Sequence, residues 1–372
     1  MPRYLLIVIV VLAGVGGPLF AQTPAPELKL DTGEQIFLAA CNGCHGPGGK
    51  GQPETTLGFE PPKTFPDFTD CNGSTREKIF DWKATIHEGG RGRGFSEIMP
   101  SFAEALTLEQ MDKVIRYLRS RCPEPAWPLG DFNFPRALMT EKAFPEDEVV
   151  VTTEVNAAGA GAVAGEMVYE RRFGARNQLE FGVPYGFLHR ENASWVGGVG
   201  DVILGFKRVM IQNKSTGSIF SLQGEVIAPT GNRLRDLGSG VTTFGVFGAF
   251  GQAMPHMSFF QIQTGADLPA NREKAARAAF FRFNLGKTFA QNKGFGRAWT
   301  PMADIVTERE LESGAKTNWD VVPQMQVTLN RRQHVRANVG FRVPVNDIAG
   351  RPKQLVFYLL WDWFDGGLRE GW

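Results

Sequence analysis

Past its first 25 positions the 372-residue chain has no uninterrupted apolar run of the ~20 residues that a membrane-crossing helix needs. Charge of one sign is missing as well. Forty Lys+Arg against 39 Asp+Glu leave a formal +1, which argues against nucleic acid as the main partner, since such binders carry a basic excess. The four cysteines are too few for a disulfide scaffold at this length. The sequence has no convincing catalytic triad, Walker loop or second metal cluster, so a substrate-turning enzyme is not expected. What is plentiful is Gly (44) and Phe (29). That profile suits a β-rich protein, including one that spreads a lipid-facing surface over alternating residues.

Residues 1–21 start with Arg3, continue through an apolar run from Tyr4 to Val15, and end at Leu19-Phe20-Ala21. This is the pattern of a secretory signal peptide. No Cys stands at the cleavage point, so a lipid anchor is not indicated, and export places the mature chain in an oxidising compartment. A Pro-containing spacer, 22–30, leads into a helix-rich segment at 31–122. Residues 123–147 carry Pro123, Pro125, Pro128, Pro135 and Pro145, which disfavour helix and central strand and predict a Pro-rich linker. From 148 to 372 the pattern becomes period-two alternation broken by turn residues.

Cys41-Asn42-Gly43-Cys44-His45 is the C-x-x-C-H pattern of covalent haem attachment. Two thiols at that spacing add to the two vinyl groups of one haem c, and the adjacent imidazole is carried under the iron. Asp31 or Thr32 is placed to cap a first helix, and Thr107-Leu108-Glu109-Gln110 is a capping box for a last one. Met111, Val114, Ile115 and Leu118 recur there at helical spacing.

This segment resembles a class I monohaem cytochrome c over about 90 residues. The resemblance implies that first and last helices cross, with Gly33 or Phe37 meeting Tyr117. It also implies that Met99, in Ile98-Met99-Pro100, is the second axial ligand opposite His45. Met111 and His87 are rivals, read as core packing and as a surface residue. A thioether opposite imidazole raises the reduction potential, and six ligands leave no open position for oxygen. Cys71 and Cys122 lie in the same segment without a partner His at metal-ligand spacing, so a disulfide is expected, worth roughly 2–4 kcal/mol. Two free thiols remain the alternative.

In the C-terminal part Phe220, Leu222 and Val226 alternate with Ser221, Gln223 and Glu225, and Val335, Ala337, Val339, Phe341 and Val343 with Arg336, Asn338 and Arg342. About twelve strands are predicted, at 148–158, 164–173, 176–187, 200–212, 217–228, 240–253, 256–268, 276–290, 297–308, 319–330, 333–344 and 353–364. Short turns such as Gly174-Ala175, Met254-Pro255 and 291–296 alternate with longer connections such as 188–199, 229–239 and 309–318. An even strand count with such alternation is the plan of an outer-membrane barrel. A soluble sandwich has no reason for it. Leu355, Phe357, Leu359, Trp361 and Trp363 predict an outward stripe on the final strand, and the chain ends at Trp372. Two features fit less well: Arg208 lies in register with Leu204 and Phe206, and 240–253 is nearly apolar on both faces.

Leu179 to Phe187 and Gly200 to Lys207 resemble the outer-membrane barrel family associated with aromatic-compound (phenol) degradation. The whole is similar in plan to the fused cytochrome–porins of iron-oxidising bacteria. It departs from them in having a full class I domain and a shorter barrel, since ~90 residues with a radius of gyration of ~12 Å do not fit a twelve-strand lumen. The expected fold is therefore a small all-α domain followed by an antiparallel transmembrane barrel. The expected role is single-electron transfer between a periplasmic redox protein and a partner at or across the outer membrane, with outer-membrane lipids around the barrel and the haem domain on the periplasmic side. A solute transporter with an attached cytochrome, and a soluble cytochrome with a β-sandwich, are the alternatives.

Overall fold

The computed structural model describes residues 29–52, 58, 60, 65–122, 124–157, 161–189, 195–290 and 297–363. The signal-peptide reading of 1–21, most of the spacer, the 291–296 turn and Trp372 lie outside them.

Among its described residues the N-terminal domain has five α-helices, α1 (Gly33–Ala40), α2 (Asn42–His45), α3 (Cys71–Ser74), α4 (Ile79–Gly92) and α5 (Leu108–Ser120). Capping boxes open α1 at Thr32/Gln35 and α5 at Thr107/Gln110, satisfying donors that a helix start leaves free. The apolar stripe of α5 (Met111, Val114, Ile115, Leu118) buries against Ile36 and Phe37 of α1. The helices cross so closely that a Cβ on Gly33 would lie 2.1 Å from the Lys113 carbonyl oxygen, while the Phe37 and Tyr117 rings sit 5.5 Å apart. Met111 is a core residue.

The second part is a closed antiparallel barrel. Its strands in chain order are β1 (Glu148–Asn156), β2 (Ala162–Phe173), β3 (Asn177–His189), β4 (Trp195–Val199), β5 (Val202–Asn213), β6 (Ser218–Ala228), β7 (Thr243–Met254), β8 (Ser258–Pro269), β9 (Ala278–Lys287), β10 (Phe289–Ala290), β11 (Ala298–Glu310), β12 (Asn318–Thr328), β13 (Val335–Pro344) and β14 (Gln354–Asp362). Twelve long strands form the wall, and closure comes from β1 pairing with β14, Glu148 opposite Asp362. Two differences from the expected strands are local. The connection read as a loop at 188–199 holds β4, which extends the β3 edge as a hairpin, and β10 is a two-residue bridge to β11.

The pleat sends Leu204, Phe206, Leu222, Phe281, Met325, Phe341 and Leu359 outward and exposed, and Lys207, Ser221, Gln223, Asn284, Gln326 and Asn338 inward and buried. An apolar outside around a polar inside is the inversion that lipid imposes. Trp195 and Trp319 lie at the long-loop rim and Trp299 at the short-turn rim, all three exposed, where interfacial aromatics of a membrane barrel are found. Arg208 points outward near the short-turn end and donates to Asn177 Oδ1 at 2.8 Å, next to a register shift at Val209/Ile211. Trp363, expected on the outward stripe, is buried, stacked on Tyr169 (5.9 Å) and edge-on to Trp361.

The linker reading changes most. Residues 124–147 form neither long helix nor strand, as their prolines require, yet they are not a free tether. They fold up into the lumen from the short-turn end. Phe132, Phe134, Ala137, Ala143 and Phe144 pack on inward Val209, Ile219, Ala249, Phe259 and Met302. This explains the second apolar face of β7: it meets the plug, and a Cβ on Gly251 would strike the Phe134 ring at 2.7 Å. Higher up, Arg136 bridges Glu141, Glu148 and Glu170, and Lys142 joins Glu146 and Glu148. The plug's backbone is satisfied by the wall: Leu138 N donates to Gln324, Met139 N to Asp304 and Glu141 N to Gln263. Every long strand contributes at least one inward side chain sealed from water at this level, Glu148, Gln178, Ser221, Gln261, Asp304 and Leu360 among them.

Candidate functional site

Helix α2 is a single turn that places Cys41, Cys44 and His45 side by side, because C-x-x-C on one helical turn points both thiols to the same side. The chain then leaves at Gly46, whose φ of 71° and 2.0 Å approach of a Cβ to the Gly51 carbonyl allow only glycine. Gly51 N donates back to the His45 carbonyl at 2.8 Å. The His45 imidazole is stacked on Phe65 (5.1 Å) and lies against Phe68 (5.3 Å).

Across from α2, Gly89 ends the regular part of α4 in the left-handed region, and Gly90 N donates to the Met99 carbonyl at 3.1 Å. A Cβ on Gly90 would sit 2.0 Å from the Ser96 carbonyl oxygen, so two successive glycines let the Met99 loop fold onto α4. Cys41, Cys44, His45 and Met99 all line one cavity of about 440 Å³, a volume in the ~300–1,000 Å³ range of cofactor sites. Phe37, Trp82, Ile86, Phe102 and Leu118 give it apolar walls. His87 and Met111 do not line it, and His87 is half-buried rather than on the surface.

Electrostatics follow from burial. The Cys41 thiol is pushed up to about 11 by desolvation and then by the neighbouring Cys44. His45 is pushed down to about 4 by desolvation, so its imidazole is neutral at pH 7, the state in which it offers a lone pair. His45 Nδ1 is buried with no hydrogen-bond partner among the described residues. A neutral imidazole, a thioether and two free thiols around an apolar slot are a donor set that fits haem. Cys71 and Cys122 are bridged, with Cα atoms 5.2 Å apart, tying α3 to the end of α5.

The domain rests on the short-turn end of the barrel. Arg76 Nη1 pairs with Asp147 Oδ2 at 2.7 Å, and Arg119 of α5 pairs with Asp131 at the foot of the plug. From the barrel, Gln212 donates to the Pro125 carbonyl at 2.7 Å, and Arg176 to that of Ala126 at 3.1 Å. Sequence reasoning missed the cationic rim of the cavity, Arg93 at the end of α4 and Arg332 and His334 on the turn between β12 and β13. Only distance along the chain hid the two barrel residues.

Residues 29–118 match the family model described as cytochrome c oxidase, cbb3-type, subunit III. No curated protein matches the chain significantly. Among solved structures, an outer membrane channel from Pseudomonas putida F1 is similar at 12% identity and TM-score 0.40, covering 58% of this chain and 96% of that one. The NanC porin is similar at 9% identity and TM-score 0.39, covering 57% and 98%. LpxR from Salmonella typhimurium is similar at 6% and 0.39, covering 58% and 100%. The chain thus joins a cytochrome c domain, with the haem cofactor that this implies, to a closed twelve-strand barrel.

Proposed function

We propose that this chain is an outer-membrane-anchored c-type cytochrome that relays single electrons between a periplasmic carrier and a partner at the outer membrane. One observation carries the reading: the cavity holding Cys41, Cys44, His45 and Met99 belongs to a domain seated on the short-turn end of a barrel whose lumen is filled. Short turns face the periplasm in such barrels, which puts the haem domain within reach of soluble redox proteins. In this reading Cys41 and Cys44 would hold one haem covalently, and His45 and Met99 would ligate its iron. Bound there, haem supplies a one-electron iron couple. The chain's own apolar residues wall the slot, and burial keeps His45 neutral. The sealed lumen favours an anchor over a solute channel.

Outer-membrane vesicles carrying the full chain test this. A covalent haem stain on a heat-modifiable band is expected, together with re-oxidation of reduced haem by an impermeant oxidant only from the periplasmic face. Haem that is absent, or oxidised equally from the outer face, overturns the reading. Replacement of Met99 by His is expected to keep a low-spin haem and lower its midpoint potential, because imidazole stabilises ferric iron more than a thioether does.

A further inference from the structure

The haem-domain cavity is not built by the haem domain alone. Its rim includes Arg93, at the end of α4, and Arg332 and His334 from the barrel. Arg93 is 2% exposed. One guanidinium nitrogen, Nη2, pairs with Asp81 at 2.7 Å, but Nε and Nη1 are buried with no hydrogen-bond partner among the described residues. Buried donors of that kind call for an acceptor. Arg332 lies on the same lip: its Nε and Nη2 hold the Gly94 carbonyl at 3.1 and 2.7 Å, and its guanidinium stacks on Phe95 at 4.5 Å. Residues 93–95 therefore present one buried cation of the domain beside one cation of the barrel. Four carboxylates line the cavity as well, and each is engaged: Asp81 with Arg93, Glu77 facing His334 at 3.8 Å, and Asp67 and Asp70 accepting from the backbone N–H of Thr69 and Asn72.

We infer that Arg93 and the barrel's Arg332 together receive the carboxylate side chains of the porphyrin, so that the barrel completes the haem pocket. This rests on the haem reading above. Guanidinium is the side chain matched to carboxylate in charge and fork geometry, and a haem entering an apolar slot has to leave its two carboxylates at a polar rim. The consequence is electrostatic: a cation near the iron favours the less positive ferrous state, so the barrel turn raises the haem potential.

Redox titration of the full-length holoprotein in detergent tests it. Arg332→Ala is expected to move the ferric–ferrous equilibrium about tenfold toward ferric, a midpoint about 59 mV lower for one electron. Arg332→Glu is expected to move it further in the same direction and Arg332→Lys to restore most of it, which a purely structural role would not do. Arg93→Gln is expected to shift it the same way. Arg331→Ala removes an adjacent turn cation that does not line the cavity and is expected to leave the potential unchanged. No shift in Arg332→Ala with haem bound, or an equal shift in Arg331→Ala, overturns this inference and leaves the haem reading intact. Absence of covalent haem in the parent protein fails the haem reading instead.

Discussion

Single residues decide the small domain's stability because its core is thin. Gly33 is one such point: any side chain there meets the Lys113 carbonyl. Gly33→Ala is expected to destabilise the haem domain by about 1–3 kcal/mol, the usual cost of overpacking, read as a lower midpoint in the thermal loss of Soret dichroism. The Cys71–Cys122 bridge spans 51 positions. Converting both cysteines to Ser should cost about 4 kcal/mol by the loop-entropy relation, and an unchanged denaturation midpoint would contradict it. Lys78 gives a pH signature. Burial, then the nearby Arg336, drives its ammonium from 10.5 down to about 8, against weaker help from Asp81. The folded chain therefore binds fewer protons than the unfolded one between about pH 8 and 10.5, so stability rises with pH across that window and its penalty is complete below it. Lys78→Gln should flatten that slope in melts taken from pH 7 to 11.

At the scale of elements, the plug is the part whose removal would change what the barrel does. Its apolar foot is locked by Phe134, stacked on Phe259 at 5.5 Å, and Phe134→Ala should destabilise the plug by about 3–5 kcal/mol, as deletion of a buried phenyl ring does. Its upper part is held by charges that pair both within the plug, with Glu141 and Glu146, and with Glu148 and Glu170 of the wall. The intact protein is expected to show no conductance in a planar bilayer, since a ring of sealed side chains crosses the lumen. Replacing residues 130–146 with a Gly/Ser linker of equal length should open steady single channels. A conducting parent protein would contradict the seal.

For the whole molecule, both ends of the barrel chain lie at the short-turn rim, and so does the haem domain, which is too large to enter a twelve-strand lumen. The contacts across that rim (Arg76–Asp147, Arg332–Gly94) make the domain a docked cap rather than a bead on a string. Protease added to intact cells should leave the haem domain whole, and permeabilising the outer membrane should expose it. Cleavage in intact cells would reverse the orientation.

Much of this was legible in local pattern. Cys41-Asn42-Gly43-Cys44-His45 is one helical turn whose chemistry depends on spacing alone, and the boxes at Thr32 and Thr107 are satisfied within four residues. Alternation identifies which side chains of a strand share a face, because the pleat has period two whatever surrounds it. It cannot say what lies against the inner face, so the twofold apolar β7 looked anomalous until the plug met it. The prolines of 123–147 disfavour long helix and central strand but carry no periodicity and hence no direction. Contacts such as Met139 to Asp304, or Arg332 to Gly94, join positions more than 150 residues apart. Barrel closure brings those pairs together, and it is a property of the assembled wall that no single stretch of the chain encodes.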